Sequence, residues 1–316
     1  MKKNILITGG TGFVGANLIH RLVNEGHRPT VFIRKESNLW RLKNIASKIT
    51  CVETDLLNSK LLSKQVKKIK PTHIFHLAVY GAQQGVQKDT IQTYTQNILS
   101  SVNLMEVCCK HGFQQYVNIG SSSEYGLKKT AMKEADMLQP INHYGATKAA
   151  ISLAASVFSG TYKLPISTLR LFSPYGYWED RRRFIPTLIL DAINGKCAEL
   201  SRPSYVRDFI FIDDVIDALI HFLTAKKHYN EVFNVGSGKQ YTLQQVVDEV
   251  KLLSKNKLKV TWNNKKSNQM EPLFWKANIS KTKKILKWKP TTSLKQGLQK
   301  TYEWILQNKN LYAIKQ

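Results

Sequence analysis

Short apolar runs alternate with amphipathic stretches over roughly the first half of the chain. Asn4–Thr8, Pro29–Ile33, Ile49–Glu53, His73–Leu77, Gln115–Ile119 and Ile166–Leu171 read as strands. Gly12–Glu25, Leu39–Ala46, Ser59–Ile69, Asn97–His111 and Tyr144–Tyr162 carry helical spacing between them. Strand–helix alternation of this kind predicts right-handed crossovers and an α/β, doubly wound parallel sheet covered on both faces. After Phe172 the alternation loosens. Helices are expected near Ile185–Asn194, Asp213–Ala225, Thr242–Ser254, Ser280–Leu286 and Ser293–Gln307, with a strand at Glu231–Val235. No linker rich in Gly, Pro or Ser separates the halves. The expected organisation is a first domain over residues 1–171 and a smaller, interleaved C-terminal lobe over 172–316, some of whose segments return to the first sheet.

The turn after the first strand reads Thr8-Gly9-Gly10-Thr11-Gly12-Phe13-Val14-Gly15. Gly9 permits a tight turn, Gly12 lets backbone approach a pyrophosphate, and Gly15 lets the helix lie close to the strand. Thr11, Phe13 and Val14 belong to the same cradle, and the N–H groups of the helix N-terminus face the phosphates. A glycine turn so placed marks a dinucleotide-binding Rossmann domain. The end of the second strand bears on cofactor choice. An acidic residue there would bind the ribose hydroxyls of NAD; Arg34, followed by Lys35, can instead fork onto a 2′-phosphate. The expected cofactor is therefore NADP(H), with NAD as the alternative. Asp55 and Leu56 fit an adenine-edge contact. Leu77, Ala78 and Val79, at the end of the fourth strand, are expected beside the phosphates and the nicotinamide.

Tyr144 and Lys148 lie four apart on a helical stretch and share one face. A free tyrosine titrates near ~10, and an adjacent ammonium favours its phenolate, which suits acid–base work at neutral pH. Ser121, in Gly120-Ser121-Ser122-Ser123-Glu124-Tyr125-Gly126, ends the fifth strand and can hydrogen-bond a substrate oxygen.

Bulk properties narrow the class. The 316 residues, 42% hydrophobic, suffice for one large domain or two modest ones. The apolar opening Ile5-Leu6-Ile7 runs straight into glycines and does not read as a signal peptide. The longest membrane candidate, Phe209–Leu223, is interrupted by Asp213, Asp214 and Asp217. A soluble, cytoplasmic protein is expected. Cys51, Cys108, Cys109 and Cys197 lack paired metal spacing and read as buried free thiols. No metal site is expected, and His73 and His76 read as strand-end packing or polar contacts. The formal net charge of +25 raises nucleic acid as a partner. The pairs Lys67-Lys68, Lys226-Lys227 and Lys265-Lys266 and the run Lys281–Lys284 are scattered, however, and favour a basic solvated surface. The arginines at 181–183 either line a substrate mouth or form an exposed run. Asp213 and Asp214 are expected to cap the helix that follows them, and Trp262, Trp275, Trp288 and Trp304 to pack the smaller lobe. Small residues Ala149, Ala150, Ala154 and Ala155 on Tyr144–Tyr162 would suit a helical homodimer interface, or plain packing on the sheet.

With these pieces the chain resembles the extended short-chain dehydrogenases/reductases, in their nucleotide-sugar epimerase, dehydratase and reductase branch. The resemblance covers nearly the whole chain. It rests on TGGTGFVG at Thr8–Gly15, SSSEYG at Ser121–Gly126, YGATK at Tyr144–Lys148 and RLFSPYG at Arg170–Gly176. VRDFIFIDDV at Val206–Val215, FNVGSG at Phe233–Gly238 and LKWKP at Leu286–Pro290 add to it. It implies Ser121, Tyr144 and Lys148 as the catalytic triad and Phe172 beside the nicotinamide. It further implies Tyr80, Ser123, Ser173 and Arg207 as substrate contacts, with Arg207 on the diphosphate of a nucleotide sugar. A homodimer is implied as well.

Three departures from the family pattern matter. Ser122 and Ser123 stand where dehydratases carry an acidic pair, which disfavours 4,6-dehydration. Ser173 replaces an Asn common in epimerases. The family's late Arg has no match near Asn268-Gln269-Met270-Glu271-Pro272. The expected activity is NADPH-dependent reduction of the C4 ketone of a nucleotide-linked 4-keto-6-deoxy sugar. The alternative is a 4-epimerase with tightly held NAD(H). Reduction of aldehydes or steroids fits less well with Arg207-Asp208-Phe209, and a cofactor-sensing binding protein fits less well with an intact Tyr144–Lys148 pair.

Overall fold

The computed structural model describes residues 3–81, 89–224, 226–263 and 272–313. The strands are β1 (Ile5–Thr8), β2 (Thr30–Ile33), β3 (Thr50–Glu53), β4 (His73–His76), β5 (Gln115–Ser121), β6 (Ile166–Leu171) and β7 (Pro174–Tyr175). After them come β8 (Cys197–Leu200), β9 (Val206–Arg207), β10 (Ile210–Phe211), β11 (Glu231–Val235), β12 (Tyr241–Thr242) and β13 (Lys259–Trp262). The helices are α1 (Phe13–Asn24), α2 (Ser59–Ile69), α3 (Thr90–Tyr94), α4 (Ser100–His111), α5 (His143–Tyr162) and α6 (Phe184–Asn194). They continue as α7 (Ile212–Ile220), α8 (Leu243–Leu253), α9 (Ser280–Leu286), α10 (Leu294–Gln307) and α11 (Lys309–Ala313).

Seven strands form one parallel sheet in the order β11-β6-β5-β4-β1-β2-β3. The order reverses at β1, which pairs with both β2 and β4, so a crevice opens at the C-terminal ends of β1 and β4. The central strands read as continuous apolar runs because helices cover both faces. Leu6, Phe32, Ile74, Tyr116 and Ile166 form one core with Leu62 and Val66 of α2, Leu104 and Met105 of α4, and Ile151 and Ala155 of α5. The alternate residues Ile7, Val31, Phe75 and Val117 are buried on the opposite face. This is the Rossmann-like α/β architecture that the alternating pattern predicts.

Two compact units share the chain. The first comprises Met1–Gly126, Glu134–Leu171 and Ile216–Val235; the second comprises Leu127–Lys133, Phe172–Val215 and Gly236–Gln316. Within the second, three short strand pairs (β7 with β10, β9 with β12, β8 with β13) take the place of a large sheet. Asp214 does not cap its own helix there. Its carboxylate accepts hydrogen bonds from the Thr291 N–H (2.8 Å), the Thr291 hydroxyl (2.9 Å) and the Thr292 N–H (3.1 Å), while its carbonyl accepts from the Trp288 indole at 3.0 Å. Trp275 and Trp288 are buried, and Trp304 meets Tyr177, Trp178 and Tyr312. The arginine run is engaged within this unit: Arg181 donates to the Tyr312 carbonyl, Arg182 pairs with Asp180 and Arg183 with Glu179.

Some expectations are corrected. Leu39–Ala46 is not α-helical; residues Trp40–Lys48 form tight 3₁₀ turns. The helix expected from Asn97 begins at Thr90, where the Asp89 side chain accepts the Gln92 N–H, and passes through a π-turn at Thr95–Leu99 before α4. Cys108 and Cys109 are buried, but Cys51 and Cys197 are exposed, Cys51 because β3 is the edge strand of the sheet. Ala225 and residues 264–271, which include Lys265, Lys266 and the segment near Asn268, lie outside the described residues. Among the described residues, no helix is long and apolar enough to cross a membrane.

Candidate active site

The glycine turn is built by steric exclusion. Gly9 holds φ +69°, and a Cβ there would sit 2.4 Å from the Ala78 nitrogen. A Cβ on Gly15 would lie 2.4 Å from the Gly9 carbonyl oxygen, so only glycine lets α1 pack against the turn. Gly12 is the N-cap of α1 and no side chain caps the helix. The N-terminal N–H groups of a twelve-residue helix therefore meet the end of β1 uncapped by protein, a ready anion cradle. Arg41, which the sequence reading did not single out, donates to the Thr11 carbonyl at 3.1 Å and brings a guanidinium to the same turn. Arg34 and Lys35 are exposed at the end of β2, and the Arg34 N–H donates to the Ser37 hydroxyl at 2.8 Å. Asp55 is exposed after β3, its carboxylate accepting the Leu57 N–H at 2.9 Å in a local turn, and Leu56 is half-buried behind it. A backbone cradle without a side-chain cap, three cations and a close approach to Ala78 fit a dinucleotide.

The ends of β1 and β4 are tied by a buried polar relay. The Ala78 N–H donates to the Thr8 hydroxyl at 3.3 Å, and that hydroxyl lies 2.6 Å from His76 Nδ1. His76 Nε2 lies 2.7 Å from the Ser101 hydroxyl, which itself donates to the Asn97 carbonyl at 2.5 Å. Ser101 spends its proton on Asn97, so His76 must donate from Nε2 and accept at Nδ1. Burial, with help from the Lys148 charge, pushes the His76 pKa down to about 3 and keeps this neutral tautomer. Asn97, buried in the π-turn, accepts the Tyr80 N–H at 2.7 Å and donates to the Tyr80 carbonyl at 3.1 Å and the Thr147 hydroxyl at 3.2 Å. It couples the loop Leu77–Ala78–Val79–Tyr80 to α5. No periodicity signals such a residue; a polar side chain in a π-turn does.

The candidate residues Ser121, Tyr144 and Lys148 lie at the end of β5 and in the first two turns of α5. Asn142 caps α5 by accepting the Gly145 N–H at 2.7 Å, which places Tyr144 in the first turn. A Cβ on Gly145 would lie 2.5 Å from the Ser123 carbonyl oxygen, so the Tyr-Gly pair lets this turn press against the serine loop. Ser121 is buried and its hydroxyl accepts the Ser123 N–H at 3.1 Å. Lys148, one helical turn after Tyr144, is buried and donates to the Ile119 carbonyl at 2.7 Å. Burial lowers the Lys148 pKa to about 8, and Glu124 opposes the fall. Glu124, in the turn after β5, is fully buried and ion-paired to Arg170 at 2.7 Å.

The remaining candidates lie in the second unit. Phe172 is buried, and Ser173 is half-buried, its carbonyl accepting the Ile210 N–H at 3.2 Å. Arg207 lies 6.0 Å from the Trp275 ring centroid, and one guanidinium nitrogen donates to the Val206 carbonyl at 2.8 Å. The adjoining Asp208 accepts N–H bonds from Ser237, Gly238 and Ala277 and fixes this loop cluster.

Residues 5–236 match the NAD dependent epimerase/dehydratase family. UDP-glucuronate 4-epimerase 1 of Arabidopsis thaliana is 31% identical over 333 residues, covering 96% of this chain and 76% of that protein. The crystal structure of UDP-glucuronic acid 4-epimerase from Bacillus cereus, in complex with UDP-glucuronic acid and NAD, superposes with a TM-score of 0.86. It is 28% identical, covering 96% of this chain and 99% of that one. The dTDP-glucose 4,6-dehydratase from Bacillus anthracis, in complex with NAD, gives a TM-score of 0.86 at 26% identity, covering 98% and 99% of the two chains. The chain carrying this glycine turn and this Ser-Tyr-Lys set belongs to the NAD-dependent epimerase/dehydratase family.

Proposed function

We propose that the protein is a nucleotide-sugar 4-epimerase that inverts C4 through a transient 4-keto sugar. The observation that carries this reading is the serine loop. Ser121, Tyr144 and Lys148 form a proton-transfer set for one hydroxyl, while Ser122 and Ser123 supply neither acid nor base for eliminating water. C4 epimerisation needs only that single set. The UDP-glucuronate 4-epimerases among the relatives support this reading over the NADPH-dependent reductase.

Each residue has a part. Tyr144 takes the C4 hydroxyl proton as the ketone forms and returns it when the ketone is reduced from the opposite face. Ser121 donates a hydrogen bond to the C4 oxygen and holds it against Tyr144. Lys148 supplies the positive charge that favours the tyrosinate. The chemistry that a nicotinamide would supply when bound is hydride acceptance and return at C4. Gly9, Thr11, Gly12, Phe13, Val14 and Gly15 hold the pyrophosphate of the dinucleotide, and Leu77, Ala78 and Val79 line its path. Tyr80, Ser123, Ser173 and Arg207 recognise the sugar nucleotide, Arg207 by its diphosphate, while Phe172 packs on the nicotinamide. In this reading the first unit carries most of the cofactor contacts and the second carries Ser173 and Arg207. The cofactor retained through the cycle is NAD(H), as in the neighbours solved with NAD.

One observation favours the reductase as a second reading: Arg34 stands where NAD enzymes place a carboxylate, and Arg41 adds a second cation near the turn. The test is to denature the purified protein, identify the released nucleotide, and incubate the native protein with UDP-glucuronate, UDP-glucose and UDP-N-acetylglucosamine. Stoichiometric NAD(H) and a C4 epimer seen by proton NMR support the epimerase. No epimer from any of them, together with NADPH consumption on a nucleotide-linked 4-keto sugar, supports the reductase.

Homodimerisation belongs to the same proposal. Ala149 and Ala155 turn inward, whereas Leu153 (60% exposed) and Val157 (67%) form the outward apolar stripe of α5, with Leu99 (49%) exposed on the preceding helical run. Light scattering should give twice the chain mass, and Leu153→Glu with Val157→Glu should reduce it to one chain. A monomer before substitution contradicts the dimer.

A further inference from the structure

We propose that Glu124 is a positioning residue of the proton-transfer site: with Lys148 it clamps the strand end that presents Ser121, and it acts on Tyr144 through Lys148. The proposal rests on the reading of Lys148 and Tyr144 as the proton-transfer pair. Three observations carry it.

The first is geometric. Lys148 Nζ donates to the Ile119 carbonyl at 2.7 Å, and Glu124 Oε1 accepts the Ser121 N–H at 2.7 Å. The two charged side chains therefore hold the two peptide groups that flank Gly120. A Cβ on Gly120 would lie 2.4 Å from Glu124 Oε1, so the glycine makes room for the carboxylate. The second is the anchoring of Glu124 itself. Its Oε2 accepts from Arg170 Nε at 2.7 Å. Arg170 also donates to the Tyr125 hydroxyl at 2.9 Å and the Glu134 carbonyl at 3.1 Å, and Tyr125 in turn donates to Asn234 at 2.7 Å. Glu124 and Arg170 are 0% and 4% exposed, so this pair ties the turn after β5 to β6 in the buried interior. The third is the local motif. Ser121 and Glu124 form a reciprocal capping box on the Ser122–Glu124 turn, so the residue that presents its hydroxyl to substrate is gripped by Glu124.

The charges around Lys148 set the sign. Glu124, from the turn after β5, raises its pKa, while burial lowers it. His76, from β4, is kept neutral. Tyr144 lies one turn earlier on the same helix, and Arg170, from β6, sits behind Glu124. Burial raises the Glu124 pKa against the opposing Arg170 charge. Removing the Glu124 charge leaves Lys148 with burial alone, so the amine sheds its proton at lower pH and Tyr144 loses its cationic partner. The fall in turnover as pH rises should then set in at lower pH, with KM unchanged.

The test follows Lys148 directly, in full-length protein labelled with 13Cε-lysine, its resonance assigned by its loss in Lys148→Arg. The midpoint should lie at about 8 in the unaltered protein. Glu124→Gln should lower it by about one pH unit, a roughly tenfold increase in neutral amine at a given pH, and Glu124→Asp should restore it. An unchanged midpoint in folded Glu124→Gln overturns the proposal. Should that variant not fold, 13C-carboxyl titration of the unaltered protein decides: Glu124 ionised at neutral pH supports the clamp, and Glu124 protonated there overturns it. The lysine titration reads out whether or not the protein epimerises any sugar, so failure of the clamp and failure of the epimerase reading remain distinguishable.

Discussion

Tyr144→Phe should lower turnover by about a hundred- to ten-thousand-fold, the usual range for removing a general acid–base group. The ring remains and only the hydroxyl goes, so folding and dinucleotide affinity should change little. The reason lies in the first turn of α5, where the Asn142 cap and the close approach of Gly145 to Ser123 fix the backbone of residue 144 without using its hydroxyl. The measurement is single-turnover reduction of bound nicotinamide, followed at its near-ultraviolet absorbance, after mixing with UDP-sugar. A variant as fast as the unaltered protein would remove Tyr144 from the proton-transfer role.

Gly9→Ala should be nearly as damaging, by a different route. The left-handed backbone costs a non-glycine residue about 1–2 kcal/mol, and forcing a Cβ into packed backbone adds about 1–3 kcal/mol. Here the Cβ would meet the Ala78 nitrogen at 2.4 Å and the Leu77 carbonyl oxygen at 2.6 Å, main-chain atoms that no rotamer change can move aside. The strand ends would have to part, and with them the relay through Thr8 and His76. Dinucleotide affinity should fall by more than about tenfold, alongside a loss of roughly 2–5 kcal/mol in stability. Gly26→Ala is the control. Gly26 also has positive φ, +82°, but nothing lies within 4 Å of its Cβ position. It should cost only the conformational part, about 1–2 kcal/mol, and leave cofactor binding intact. Denaturant melts and fluorescence titration with NADH separate the two outcomes.

The parts of the fold that were legible share one physical cause. The central strands β1, β4, β5 and β6 are buried along their whole length, so they announce themselves as apolar-rich runs, and β6 and β11 begin and end where the pattern places them. The expected helix Asn97–His111 starts too late because Thr, Gln and Tyr over residues 90–96 blur the period; the start signal is the Asp89 cap. The pairs β7–β10 and β9–β12 have two residues per strand, too few for any alternation to show. Glycines at 9, 12, 15 and 145 and the Tyr144–Lys148 spacing carry the site in sequence because sterics and helix geometry fix them locally. Arg41, Asn97 and Arg170 act through partners many positions away, and the fold alone brings them there. Glu124 is the exception. Its capping-box spacing from Ser121 stood in the sequence, but its charge drew attention only once its burial was known.

The central claim is that C4 inverts by oxidation and reduction on one retained nicotinamide. The most direct test uses UDP-glucuronate deuterated at C4, incubated with the purified protein in ordinary water without added nucleotide, with the product read by proton and deuterium NMR. The account predicts a C4 epimer that keeps its deuterium at C4. An epimer that has exchanged its label with solvent, or no epimer with any UDP-sugar in a protein that releases NADP(H), would contradict it.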